Sequence, residues 1–131
     1  MDELWILEDF GKALSRLEDA LAIPSENELV KAGCIQYFEF CFELAWKSVK
    51  IVSSVQALPE CLSPKACLKQ AFTQGWIDDE LKWLEMLEAR NRMSHTYDAA
   101  EALKIYDGLV SYLADFRKLL ASLREISKDE T

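Results

Sequence analysis

Eight consecutive residues, Arg90-Asn91-Arg92-Met93-Ser94-His95-Thr96-Tyr97, gather the side chains best suited to chemistry on a phosphate. His95 is the only histidine of the 131 residues. Imidazole is the side chain whose ordinary pKa lies nearest neutrality, so it can take and return a proton at cellular pH. Arginine presents a planar fork of donors that fits a phosphate. A patch holding both points to phosphodiester chemistry or to phosphate recognition.

Helical spacing constrains how these groups could meet. Arg90 and Tyr97 are seven apart, so on a helix they share a face, about 10 Å apart along the axis. Asn91 and His95 are four apart and adjoin on a neighbouring face. Arg90 and His95 lie about 140° apart around an ideal helix and do not converge within one straight segment. Either the helix distorts before Asp98, or two copies of the chain meet on a two-fold axis and share a site. In a catalytic patch His95 is the general acid or base on a ribose 2′-hydroxyl or a leaving 5′-oxygen. Arg90 then stabilises charge on the phosphoryl oxygens. Asn91 orients the imidazole or the phosphate, and Arg92 and Ser94 support the patch. No metal ligand cluster or cofactor motif accompanies it. A bland reading stands beside this one. A histidine at a helix end also serves as a cap, and Arg90 and Arg92 near a C-terminus complement the helix dipole.

The rest of the sequence reads as scaffold. Half the residues are hydrophobic and 29% are charged. With four glycines and three prolines there is little turn material, which favours a few long helices over many strands. One domain spanning 1–131, with a core over about 3–126, is expected. Leu4, Leu7, Phe10, Leu14, Leu17 and Leu21 form one stripe on a first helix. Pro24 stops it, and Ser25 with Glu28 reads as a capping box for a second helix over about 26–55. That helix is apolar almost all round, with a narrow polar line at Gln36, Glu39, Glu43, Lys47 and Lys50. Glu43 and Lys47 are spaced for an i,i+4 ion pair. Trp46, Trp76 and Trp83 are expected in the core.

Ser63-Pro64 starts a short helix over about 64–74, ended by Gly75. Asp78 or Asp79 starts a helix over about 79–96, with Leu81, Trp83, Leu84, Leu87 and Met93 apolar. Asp98 caps a last helix over about 99–126, its stripe running from Ala102 to Leu123. The predicted architecture is all-α, an antiparallel up-and-down four-helix bundle with one extra short helix.

The net charge of −8 argues against general nucleic-acid affinity. RNA chemistry here needs a local basic pocket, with Arg90, Arg92 and Lys82 or Lys104 as contributors, or a basic partner. No apolar run is long enough to span a membrane and the acidic start does not resemble a signal peptide, so a cytoplasmic location is expected. Cys34, Cys41, Cys61 and Cys67 are expected as small buried hydrophobes in a reducing compartment, with a Cys61–Cys67 link left open.

Arg90, four residues, His95, one residue and Tyr97 together resemble the signature of HEPN-domain proteins of the HepT type. Gln36-Tyr37-Phe38-Glu39-Phe40-Cys41-Phe42-Glu43-Leu44-Ala45-Trp46-Lys47 is similar to that group's second-helix signature. Ser63-Pro64-Lys65, Ala71-Phe72 and Trp83-Leu84 follow in order. The likeness covers about residues 5–120 and is nearest the subgroup called nucleotidyltransferase substrate-binding proteins. It implies a helical bundle that forms a homodimer or higher oligomer. It implies a minimal nucleotidyltransferase as partner, acting as antitoxin or as catalytic subunit. It further implies a metal-independent ribonuclease toxin acting on RNA, with Arg90, His95 and Asn91 catalytic and Tyr97 modified with AMP by the partner. The alternative within the same resemblance is a non-catalytic nucleotide- or substrate-binding subunit.

Overall fold

The computed structural model describes residues 5–95 and 99–128, without the side chains of Ser94 and His95. Asp98 and Tyr97 therefore lie outside the described residues, as does Leu4. Helices account for the fold, and no strand occurs among the described residues. They are α1 (Trp5–Leu21), α2 (Glu28–Val55), α3 (Pro64–Thr73), α4 (Glu80–His95), α5 (Ala99–Leu103) and α6 (Leu113–Ser127). A 3₁₀ segment, Lys104–Tyr112, joins α5 to α6. None of the described helices is long and apolar enough to cross a membrane.

The spacing of apolar residues explains α1 directly: Ile6, Leu7, Phe10, Leu14, Leu17 and Leu21 are its buried residues. α2 is the axis of the molecule and packs against every other helical element. Its length is about 42 Å at 1.5 Å per residue. Its start differs from the expected capping box. Asn27 is the N-cap, its Oδ1 accepting from the amides of Leu29 at 2.8 Å and Val30 at 3.3 Å. Ser25 Oγ instead accepts from the Asn27 amide. Asparagine caps as well as serine, and here it sits next to the first helical residue.

α2 ends with Ala57 at φ 58°, in the left-handed region, and the Leu58 amide donates to the Ser53 carbonyl. α3 ends the same way with Gly75 at φ 78°, and the Trp76 amide donates to Ala71. Both are Schellman-type stops. At the start of α3, Ser63 Oγ accepts from the Ala66 amide, as Ser63-Pro64 predicts. Asp79 Oδ1 accepts from the Lys82 amide and opens α4.

Cys61 and Cys67 form a disulfide across the start of α3, with Cα atoms 5.1 Å apart. All four cysteines are buried, as expected, the link left open between Cys61 and Cys67 is made, and Cys34 and Cys41 are free thiols. The 3₁₀ segment also departs from the continuous helix expected over 99–126. Gly108 weakens the α-helix there, and Ser111 Oγ donates to the Gly108 carbonyl at 2.6 Å. Leu109 and Tyr112, three apart, are its buried residues, a spacing that suits three residues per turn.

Phe116 joins the layers. Its ring lies 6.2 Å from Phe10 on α1, 6.2 Å from Phe38 on α2 and 5.4 Å from Trp83 on α4. Phe42 on α2 is 6.3 Å from the Trp83 ring. These aromatic contacts fix α4 against α2. α4 turns its Trp83–Met86–Ala89 side inward, with all three buried. Leu81, expected to be apolar contact surface, is 80% exposed because it falls outside that stripe.

Candidate functional site

The inward stripe of α4 continues from Trp83 and Met86 to Arg90, at helical spacings of three and four. Arg90 therefore faces α2 rather than bulk solvent. Its Nη2 donates to Oε1 and Oε2 of Glu43 at 3.1 and 3.2 Å. Its Nη1 donates to Oδ1 of Asn91 at 3.2 Å. Glu43 also accepts at 2.7 Å from Nε1 of Trp46, one turn along α2. The result is a chain of Trp46, Glu43, Arg90 and Asn91 bridging two helices. Both ion-pair side chains are about two-thirds buried, at 31% and 35% exposure.

The expected Glu43–Lys47 pair is replaced by this arrangement. Lys47 instead lies with its Nζ 5.9 Å from the Trp46 ring. A guanidinium reaching across 47 residues in sequence offers Glu43 two hydrogen bonds from one fork, which a surface lysine cannot. Among the described residues, Arg90 makes three hydrogen bonds from its five-donor fork. Glu39, one turn before Glu43, adjoins the pair. Burial raises its carboxyl pKa above the ordinary value, Arg90 opposes that shift and Glu43 reinforces it.

Arg92 does not join Arg90. It pairs with Glu88 at 3.0 Å on a more exposed face, as a separation of two residues on a helix requires. Lys82 pairs with Glu85 at 3.9 Å and stands 5.4 Å from the Tyr112 ring. Lys104 pairs with Glu101 at 2.9 Å. Positive charge is thus spread along the chain, and the two acidic residues nearest Arg90 outnumber it. Asn91 is exposed beside Arg90. Ser94 and His95 lie on the last turn of α4, with their side chains outside the described residues.

Beyond this cluster, a groove of about 440 Å³ runs between α2, the end of α4 and α5. Glu39, Gln36, Met93 and Leu103 line it. Glu43 and Trp46 are the site residues that spacing missed as such. Their roles depend on a contact between distant helices, whose trace in sequence is a glutamate within the narrow polar line of α2.

With this geometry in place, similarity to other proteins decides the family. Residues 6–125 match the family described as nucleotidyltransferase substrate binding protein like. The chain belongs to this family. It is 35% identical over 98 residues to the probable ribonuclease HepT of Haemophilus influenzae, covering 72% of this chain and 67% of that one. A solved structure from Haemophilus influenzae, presented as the fold of a substrate binding domain of a nucleotidyltransferase, has a TM-score of 0.78 and 28% identity. It covers 90% of this chain and 98% of its own. A crystal structure from Thermus thermophilus has a TM-score of 0.80 and 27% identity, covering 88% of this chain and 98% of its own. In this family member the all-α fold places Arg90 where α4 crosses α2.

Proposed function

We propose that this family member is a metal-independent ribonuclease in which Arg90 and His95 act on an RNA phosphodiester. The observation that carries the reading is the held guanidinium: Glu43 and Asn91 fix Arg90 through three hydrogen bonds five residues before the only histidine. A fixed donor aimed at developing phosphoryl charge lowers a barrier without reorganising at the moment of reaction. His95 takes the proton of the 2′-hydroxyl or supplies one to the 5′-oxygen. Likeness to a protein named a probable ribonuclease HepT supports the same chemistry.

Local electrostatics call for a second subunit. Glu43 and Glu39 offset Arg90 within one chain. A two-fold dimer pairing the ends of α4 brings two arginines and two histidines to one cleft. Tyr97, within the same stretch, is the residue that a partner nucleotidyltransferase modifies with AMP. An added phosphate there places negative charge where RNA phosphate must bind. This is the toxin–antitoxin form of the reading, and in it the partner restrains the nuclease.

The net charge of −8 favours a second reading, a non-catalytic nucleotide- or substrate-binding subunit of a two-component nucleotidyltransferase. The family description and the Haemophilus influenzae fold support it. Incubation of the purified, unmodified protein with single-stranded RNA in EDTA separates the two. Cleavage lost in His95→Ala supports the nuclease. Equal inertness of both proteins supports the binding subunit. Mass analysis after co-expression with the transferase tests Tyr97: added AMP mass at that residue is expected, and labelling confined to other residues rejects the assignment.

A further inference from the structure

A second groove, of about 650 Å³, lies between the start of α1, the C-terminal half of α2 and the loop that follows it. Its volume falls within the ordinary range for a small-ligand site. Trp5, Trp46, Lys47, Lys50, Ser54 and Glu60 supply its chemistry. The four α2 residues among these recur at helical spacing on one side of the helix. Trp5 leaves half of its surface exposed at the wall. Trp46 is anchored by its indole N–H on Glu43, which fixes the ring. Lys47 and Lys50 have no ion-pair partner among the described residues, in a chain of net charge −8.

We infer that this groove binds one nucleotide unit, its phosphate on Lys47 and Lys50 and its base against Trp5. Two ammonium groups without an ion-pair partner among the described residues suit an anion, and an exposed indole beside them suits a flat ring. A bare polyanion meets the Glu60 carboxylate at the same groove. A nucleotide instead offers that carboxylate an amino or hydroxyl donor, and Ser54 can bond the phosphate or sugar. Glu43 bonds both Trp46 and Arg90, so one carboxylate ties this groove to the Arg90 guanidinium. The inference goes beyond the reading above and does not depend on His95. The nucleotide unit is either free or one residue of an RNA strand running along α2.

Calorimetric titration of the full-length protein at low salt with AMP, ATP, tripolyphosphate and a single-stranded tetranucleotide RNA tests it, using a His95→Ala background for the RNA. Saturable binding of AMP or ATP is expected, weakened about ten-fold by Lys47→Ala/Lys50→Ala and by Trp5→Ala. Trp5→Phe, which keeps a ring, is expected to retain most of the affinity. Thermal melts of the variants check that each stays folded. Tetranucleotide binding at least ten-fold tighter than AMP assigns the groove to an RNA strand, whereas ATP as the tightest probe assigns it to a free nucleotide. Absence of saturable binding overturns the inference, as does affinity unchanged by these substitutions or tripolyphosphate binding as tightly as ATP. Nucleotide binding without RNA cleavage sinks the nuclease reading and leaves the groove. Cleavage without groove binding does the reverse.

Discussion

The Arg90 guanidinium and the Glu43 carboxylate meet through two hydrogen bonds of 3.1 and 3.2 Å, across 47 residues of sequence, and lock α4 onto α2. Removing the carboxylate leaves a two-thirds-buried cation and an indole N–H without their acceptor. Glu43→Ala is expected to destabilise the fold by about 1–2 kcal/mol, allowing for partial solvent screening. Glu43→Gln, which still accepts from Trp46, should cost less. Urea unfolding of the two variants checks the order, and equal or negligible losses contradict the bridge.

Two backbone positions are mismatched in opposite senses. Ala57 holds a left-handed φ of 58°, whereas Gly33 sits inside α2 with open space where a Cβ would stand. Ala57→Gly relieves a conformational cost of about 1 kcal/mol. Gly33→Ala gains about 1 kcal/mol of helix preference. Both single variants are expected to melt higher than the parent, and the pair to be near additive. A lower melting temperature for Ala57→Gly contradicts the described end of α2.

The cysteines give a counting test. Cys34 and Cys41 are fully buried, and burial, with Glu18 adding to it, pushes the Cys41 thiol up to about 12. A thiol reagent at pH 8 should leave the native protein unlabelled, because the reactive species is the thiolate. After denaturation without reductant two thiols should react, and after reduction four. Four reactive thiols without reductant contradict the Cys61–Cys67 bond.

Glu39 sets a pH dependence. Its folded pKa is raised by burial above the ordinary value of 4.5. The unfolded state then binds fewer protons across the window that starts at 4.5 and ends at the raised value, so its contribution to stability falls as pH rises through that window. Glu39→Gln removes the charge. Its stability relative to the parent should improve as pH rises above 4.5 through the raised value, measured by urea midpoint. A constant difference across that range contradicts the burial of Glu39.

Local signals make much of this fold legible. The apolar stripe of α1, the Ser63-Pro64 start and the Gly75 stop are all encoded within a few residues, and the structure follows them. The 3₁₀ segment is hidden in sequence because Gly108 and Ser111 break the helix without disturbing its apolar stripe. Leu81 misleads because an apolar residue at the start of α4 need not lie on the face that Trp83 and Met86 bury. At the site, residue types and spacing pick out Arg90 and His95. The partner of Arg90 is not readable, since Glu43 has a nearer, plausible mate in Lys47, and α2 and α4 are brought together by tertiary packing such as Phe42 on Trp83.

The central claim is that Arg90, held by Glu43, acts with His95 on an RNA phosphate. Its most direct test is the cleavage rate of a labelled single-stranded RNA in EDTA by unmodified protein, Arg90→Ala and His95→Ala, each confirmed folded by thermal melting. The account predicts cleavage by the parent and losses of about a hundred-fold or more in both variants. An inert parent, or variants that cleave as fast as the parent, would contradict it.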